Sequence, residues 1–205
     1  MRHWLVILAL LATCTVQAKE KPKPLFIESA NQTLAAPPAD QAQIVFVEPI
    51  NKIQGLFSNG IFELTGEQRT LLAVTAWKSR TAILIPPGKH TFYASQGGVG
   101  HIMEGNVEAG KRYYVLLRFI YANGFQLRPL RAAGTSEYRV TSNDFPKWMK
   151  ETHWIEKTPE ADVYFGQTIK EALDKVQLTA ISNWQAKTAA EAAELTLNPE
   201  DAVAP

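Results

Sequence analysis

Residues 81–119 read TAILIPPGKHTFYASQGGVGHIMEGNVEAGKRYYVLLRF. The apolar and β-branched runs on either side of Pro86-Pro87-Gly88-Lys89 and of Glu108-Ala109-Gly110-Lys111 suit a pleated, half-buried surface, so the stretch predicts two consecutive β-hairpins. Proline presets φ at the second position of a turn and glycine next supplies φ > 0, so Pro87-Gly88 fits a type II turn. After the second turn, Tyr113, Val115, Leu117 and Phe119 share one face while Arg112 and Arg118 point the other way, the period of two that marks a strand.

The same signals recur outward from this stretch. Gln43 to Glu48 (QIVFVE) is β-branched, aromatic and almost continuously apolar, as in a strand covered on both faces, and Pro49 stops it. Ile61–Leu64 and Arg69–Val74 flank Thr65-Gly66-Glu67-Gln68, another hairpin signature. Phe125–Leu130, which contains Pro129, reads as an edge strand. Seven or eight short strands at about ten-residue spacing predict a mainly β protein, an antiparallel β-sandwich over residues 41–132.

The period changes near residue 141. Residues 141–187 predict a C-terminal α-helical appendage packed on the sandwich. Thr158-Pro159-Glu160 is a helix start, with a capping hydroxyl, proline at the first helical position and acids at the positive end of the dipole. From there Phe165, Ile169, Ala172, Leu173, Val176, Ala180 and Trp184 recur at helical steps, one apolar stripe that Gly166 weakens but does not end. Trp148, Trp154 and Trp184 are the expected anchors of this segment on the sheet. Residues 188–205, rich in alanine and acid, read as a flexible tail.

The front end speaks to compartment. A basic start, Met1-Arg2-His3, precedes an apolar run from Trp4 to Ala12, and Val16-Gln17-Ala18 offers small residues before a cut after Ala18. This is the layout of a signal peptide over residues 1–18, and the apolar run is too short to span a bilayer. Residues 19–40 then form an extended lead-in. Cys14 is the only cysteine, so no intrachain disulfide can form. Two fates are open to it: loss with the leader, or lipidation, since Leu11-Ala12-Thr13-Cys14 resembles a bacterial lipobox.

Lysine and arginine total 21 against 20 acidic residues, a net charge of +1 that offers no electrostatic case for nucleic acid or for gripping anionic lipid. The only membrane contact expected is through a lipid on Cys14. His90, His101 and His153 lack close-spaced ligand partners, so neither a metal nor any other cofactor is expected, although His90 and His101 could approach across neighbouring strands. No Gly-x-Ser-x-Gly elbow occurs, and Gly97-Gly98-Val99-Gly100 lacks the lysine and hydroxyl of a phosphate loop and lies between strands, as a connecting loop. Glu151, His153 and Glu156 read as a solvated face. No catalytic residue is assigned.

Gln41-Ala42-Gln43-Ile44-Val45-Phe46-Val47, Pro87-Gly88-Lys89-His90-Thr91-Phe92 and Ala109-Gly110-Lys111-Arg112-Tyr113-Tyr114-Val115 occur in that order. Together they resemble a bacterial domain-of-unknown-function family of small envelope proteins, many of them lipoproteins, over about residues 40 to 120. The resemblance implies a compact β-sandwich, and with the leader the expected location is the periplasm of a Gram-negative bacterium, with anchoring to the outer membrane open through Cys14. It brings no catalytic residues. Where members often carry an Asp-Gly turn, this chain has Thr65-Gly66.

Aromatic faces beside guanidinium groups stack on sugar rings and peptides. Trp77, Arg112, Tyr114, Arg118 and Tyr121 are therefore the candidate binding residues, with Lys78 and Arg80 alongside; the alternative is that Trp77 and the tyrosines seal the bottom of the sandwich or pack under the helix. The expected role is a non-catalytic envelope module that binds or scaffolds a protein or glycan. The alternative is a periplasmic hydrolase or glycan-modifying enzyme using unidentified acidic residues. A deep pocket with convergent acids and histidines would mark the enzyme, and a flat aromatic–basic patch the binder.

Overall fold

The computed structural model describes residues 23–50, 58–120 and 124–204. The expected cleavage site at Ala18, Cys14 and Tyr121 lie outside the described residues. The chain is mainly β, in two mixed sheets with a C-terminal helical region.

One sheet contains β1 (Phe26–Glu28), β2 (Ala42–Glu48), β5 (Ser79–Ile85), β8 (Arg112–Ile120), β9 (Gly124–Pro129) and β10 (His153–Lys157), in the order β1-β10-β5-β2-β8-β9. The other contains β3 (Asn59–Thr65), β4 (Gln68–Thr75), β6 (Gly88–Ser95), β7 (Gly100–Val107) and β11 (Thr196–Leu197), in the order β11-β7-β6-β3-β4. That makes eleven strands among the described residues, where the sequence reading expects seven or eight. The sheets are not purely antiparallel either: β2 runs parallel to β8, β10 to β5 and β11 to β7.

Two expected hairpins are corrected for one reason. β5 and β6 flank the Pro-Pro-Gly corner but belong to different sheets, and so do β7 and β8 around Gly110. Both corners are crossovers. Pro86 and Pro87 have no N–H to give a ladder, so the chain leaves the first sheet after Ile85. Gly88 then takes φ 128°, well beyond the value of a type II turn. Gly110, at φ 69°, donates its N–H to the Gln41 carbonyl at 2.8 Å, and the Gln43 N–H donates to the Lys111 carbonyl at 2.9 Å. These bonds tie the corner to the start of β2 and set β8 beside it in parallel. True hairpins join β3 to β4 through Gly66-Glu67 and β6 to β7 through the glycine-rich stretch 96–99.

The inward faces of both sheets share one apolar core: Ala42, Ile44 and Phe46 of β2 and Tyr113, Val115 and Leu117 of β8 meet Ile61, Phe92 and Met103. β2 is buried along its whole length because its other face, Val45 and Val47, packs under Leu130, Trp154 and residues 138–149. On the far side of the second sheet, Phe62, Tyr93 and Ile102 are covered by Ala161, Phe165, Leu173 and Ala180.

Those covering residues belong to α2 (Pro159–Val163), a π-helical turn over Tyr164–Thr168, and α3 (Lys170–Gln185). One continuous helix is therefore corrected to two segments joined across Gly166, with Ile169 leaving helical geometry at φ −112°, ψ 16°. α1 (Phe145–Glu151) precedes them. Trp148 and Trp184 sit on helices, but Trp154 is on β10, a strand the helical reading missed. The extended lead-in contributes β1, paired with β10.

The tail expected to be flexible is tied down. A capping box between Thr188 and Glu191 starts α4 (Ala189–Glu194), β11 pairs with β7, and Val203 bonds the Arg112 carbonyl at 2.8 Å. Arg131 donates to Asp201 at 2.6 Å and to the carbonyls of Thr196 and Ala193, both at 2.8 Å. No helix among the described residues is long and apolar enough to cross a membrane.

Candidate functional site

The sequence-predicted residues do not form one exposed patch. Arg112, Tyr114 and Arg118 share the outer face of β8, as alternation requires, but that face is covered. Arg112 is buried, donating from Nε to Gln43 Oε1 at 2.7 Å and from Nη2 to the Ala35 carbonyl at 2.6 Å. Tyr114 is buried edge-on against Phe145, with ring centroids 5.0 Å apart. Arg118 is half-buried. It donates to Gln126 Oε1 at 2.7 Å and to the Tyr138 hydroxyl, and its guanidinium lies 4.6 Å over the Tyr138 ring, which Arg128 also approaches at 4.8 Å. Trp77 stands exposed on the crossover between β4 and β5, and nearby Arg80 stacks on Trp154 at 4.6 Å.

The histidines do not converge. In the β6–β7 register His90 faces Gly105 and His101 faces Ala94, so the two lie four residues apart along the ladder, about 13 Å. His90 Nδ1 lies 2.6 Å from Glu63 Oε1, and Nε2 lies 2.9 Å from the Pro86 carbonyl. Both ring nitrogens face acceptors, so this ring braces the Pro-Gly corner. His153 pairs with Glu28 at 3.7 Å, and Glu156 accepts from Ser29, two contacts that hold β1 to β10. Among the described residues no three His, Cys, Asp or Glu side chains gather as metal ligands would.

A cleft of about 570 Å³ lies elsewhere, between α3 and the adjoining ends of β7, β8 and β9, while a second concavity of about 650 Å³ is lined by Glu63, His90 and Glu104. Volumes of this order are typical of small-ligand sites. One wall is helical. Lys175, Thr179, Asn183 and Lys187 recur every four residues, while Val176, Ala180 and Trp184 form the neighbouring row toward the sheet. The opposite wall is Phe125 and Gln126 of β9 with Ile120 of β8, and the Gly98-Val99-Gly100 turn closes one end. Among the described residues no carboxylate belongs to the lining.

Glycine is required at two points of this frame. A Cβ at Gly100 would lie 2.5 Å from the Tyr93 ring and 3.0 Å from Val176, and one at Gly124 would lie 2.3 Å from Val99. Gly98, by contrast, has open space around it. Under Gly100 lies the Tyr93 hydroxyl, buried and without a hydrogen-bond partner among the described residues.

His101 lines the cleft. Its Nδ1 accepts the Leu127 N–H at 3.3 Å, which places the ring proton on Nε2 and leaves that nitrogen a donor. Burial, reinforced by Lys187, Arg118 and Arg128, pushes His101 down to about 3, so the ring is neutral at physiological pH. Trp184 is oriented by its indole N–H, which donates to Glu104 Oε1 at 3.2 Å. The cleft can therefore offer rings, amide and hydroxyl groups, a neutral imidazole and two ammonium groups to a ligand.

Of the cleft residues, the sequence reading had singled out Val176, Ala180 and Trp184 as stripe, His101 as an isolated histidine and 97–100 as a loop, without bringing them together. The available signal was Lys175-Thr179-Asn183-Lys187, a polar row directly beside the apolar stripe. Compared with known proteins, the chain matches no family model and no curated protein.

Proposed function

We propose that this chain is an exported, non-catalytic binding module of the bacterial envelope. In this reading it is a β-sandwich of the kind its sequence resembles, whose partner, a glycan or a protein, is taken up by the α3 cleft. The observation that carries the reading is the cleft lining, where aromatic, amide and ammonium groups converge without a carboxylate. Such groups hold and orient a ligand, whereas glycoside or peptide hydrolysis calls for a positioned acid or an activated nucleophile. The hydrolase alternative draws on the close Glu63–His90 pair, but the second ring nitrogen of His90 is engaged by the Pro86 carbonyl.

Gly98→Trp is the direct test, because position 98 lines the cleft, has room for a side chain and needs no positive φ. Wild type and variant are compared for binding to a panel of envelope glycans and purified envelope proteins. A ligand held by wild type and lost by a Gly98→Trp protein of unchanged melting temperature supports the proposal. Binding that is indifferent to this substitution, or none across the panel, overturns it. Export is tested separately by mass spectrometry of the mature N-terminus, where acylated Cys14 and free Lys19 are exclusive outcomes.

A further inference from the structure

We infer that the ligand of the α3 cleft is an acidic oligosaccharide, a short chain of sugar rings bearing carboxylates, laid along the helix from Lys175 to Lys187. This rests on the binding-module reading above and names its ligand class. Ten residues of helical rise carry α3 about 15 Å from Lys175 to Gln185, and Lys187 lies two residues beyond the helix end. Separated cations with Thr179 and Asn183 between them match an elongated ligand whose negative charges are spaced by neutral, hydroxyl-rich units. A single phosphate would be served by converging cations instead. Neither lysine forms an ion pair with a described residue.

The inner wall fits sugar rings. Trp184 supplies an apolar face for the C–H surface of a pyranose and is held in place by its bond to Glu104, with the buried Phe125 behind the opposite wall. Hydroxyls find donors in the Nε2–H of His101 and in the Gln126 amide nitrogen, whose oxygen is already taken by Arg118. Lys187, Arg118 and Arg128 place positive charge near His101, though Arg128 is paired with Glu194 at 2.8 Å, so Lys187 and Arg118 are the cations an anion in the cleft would meet.

The same geometry disfavours an acidic peptide. A peptide gains most from an exposed sheet edge by adding to it as a strand. The edge beside this cleft is β9, where the outward N–H of Leu127 is consumed by His101 and position 129, facing the same way, is proline.

The experiment is a calorimetric titration of the folded protein with tetragalacturonate, its methyl ester, tetraglutamate and inorganic phosphate, each also run on Lys175→Ala/Lys187→Ala and on Gly98→Trp. The expected result is binding of tetragalacturonate that weakens by about tenfold or more in the double-lysine variant and in the methyl ester, with further weakening at high salt. Loss on Gly98→Trp is expected too. Equal binding of tetraglutamate overturns the inference in favour of a peptide, and equal binding of phosphate reduces it to a bare anion site. If the methyl ester binds as well as the acid and both are lost on Gly98→Trp, the acidic class is wrong while the binding module stands. If none of the four probes binds, the acidic-oligosaccharide class is overturned, while the binding module is decided by the panel of envelope glycans and proteins.

Discussion

His101 and Leu127 close an edge. The imidazole Nδ1 on β7 accepts the backbone N–H of Leu127 on β9 at 3.3 Å, a bond that runs from one sheet to the other. An unpaired edge N–H is a template for another strand, and here a side chain occupies it. Phenylalanine at 101 would keep the ring volume and leave that N–H unsatisfied. We expect His101→Phe to cost about 1–3 kcal/mol in urea unfolding and to promote self-association, read by sedimentation. Unchanged stability with a monomeric protein would show that the bond contributes nothing.

The same histidine sets a pH dependence. Unfolded, it titrates near 6.5, whereas the folded ring stays neutral down to about 3. The unfolded chain therefore binds the extra proton across that window, and stability falls as pH drops from about 6.5 toward 3. His101→Phe should flatten this limb, whatever its effect at neutral pH.

Glu48 acts with the opposite sign. It is fully buried at the end of β2, accepts from Asn59 Nδ2 at 3.3 Å through one oxygen, and has no partner for the other among the described residues. Burial pushes its carboxyl up to about 7 from 4.5. The folded state holds the proton more tightly here, so stability falls as pH rises from about 4.5 to about 7 and stays reduced above. Glu48→Gln removes the ionisation. Its stability relative to wild type should grow across that window, to the order of 3 kcal/mol above pH 7. A difference that does not change with pH would exclude Glu48 as the titrating group. The comparison has to be made between variants, because His101 and Glu48 oppose each other between about 4.5 and 6.5 in the wild type.

The Tyr93 hydroxyl is buried without a partner among the described residues, so the ring supplies packing and the oxygen a desolvation cost. Tyr93→Phe should raise stability by about 1 kcal/mol, measured by denaturant midpoint. A loss of that size would reveal a hydrogen bond to the hydroxyl.

What could be read from residue order was local. Alternation along 112–119 located β8 and its two faces, and Gly88 and Gly110 do take positive φ. What stayed hidden was which strand lies beside which. A proline–glycine corner serves equally well between neighbours in one sheet or between two sheets, because turn chemistry specifies a dihedral angle and carries no information about distant partners. For the same reason Arg112 and Tyr114 looked like surface residues. Their alternation is real, but Tyr114 is covered by the loop and α1 of residues 130–150 and Arg112 is held by Gln43 and the Ala35 carbonyl, partners beyond any local pattern. The cleft needs α3 and three strands at once, and only its helical row was visible in sequence. At residues 188–205 the alanine-rich, acidic composition points to a loose tail, whereas the capping pair Thr188 and Glu191 starts a helix there.

That capping pair begins a segment whose removal tests the architecture. Leu195 and Leu197 are buried, β11 covers the β7 edge, and Asp201, itself buried, receives the Arg131 guanidinium while also accepting the Asn198 N–H. Arg131→Ala would strand Asp201 as an unpaired buried carboxylate and release three backbone carbonyls at once. Breaking such a pair by removing one partner typically costs about 3–5 kcal/mol. Because Arg131 is partly exposed, we expect less than that range, about 2–3 kcal/mol. Deleting residues 189–205 should cost at least as much and uncover the β7 edge, giving faster amide exchange along 104–107 and concentration-dependent association. A truncated protein that melts and exchanges like the full chain would mean that the tail rests on the domain without stabilising it.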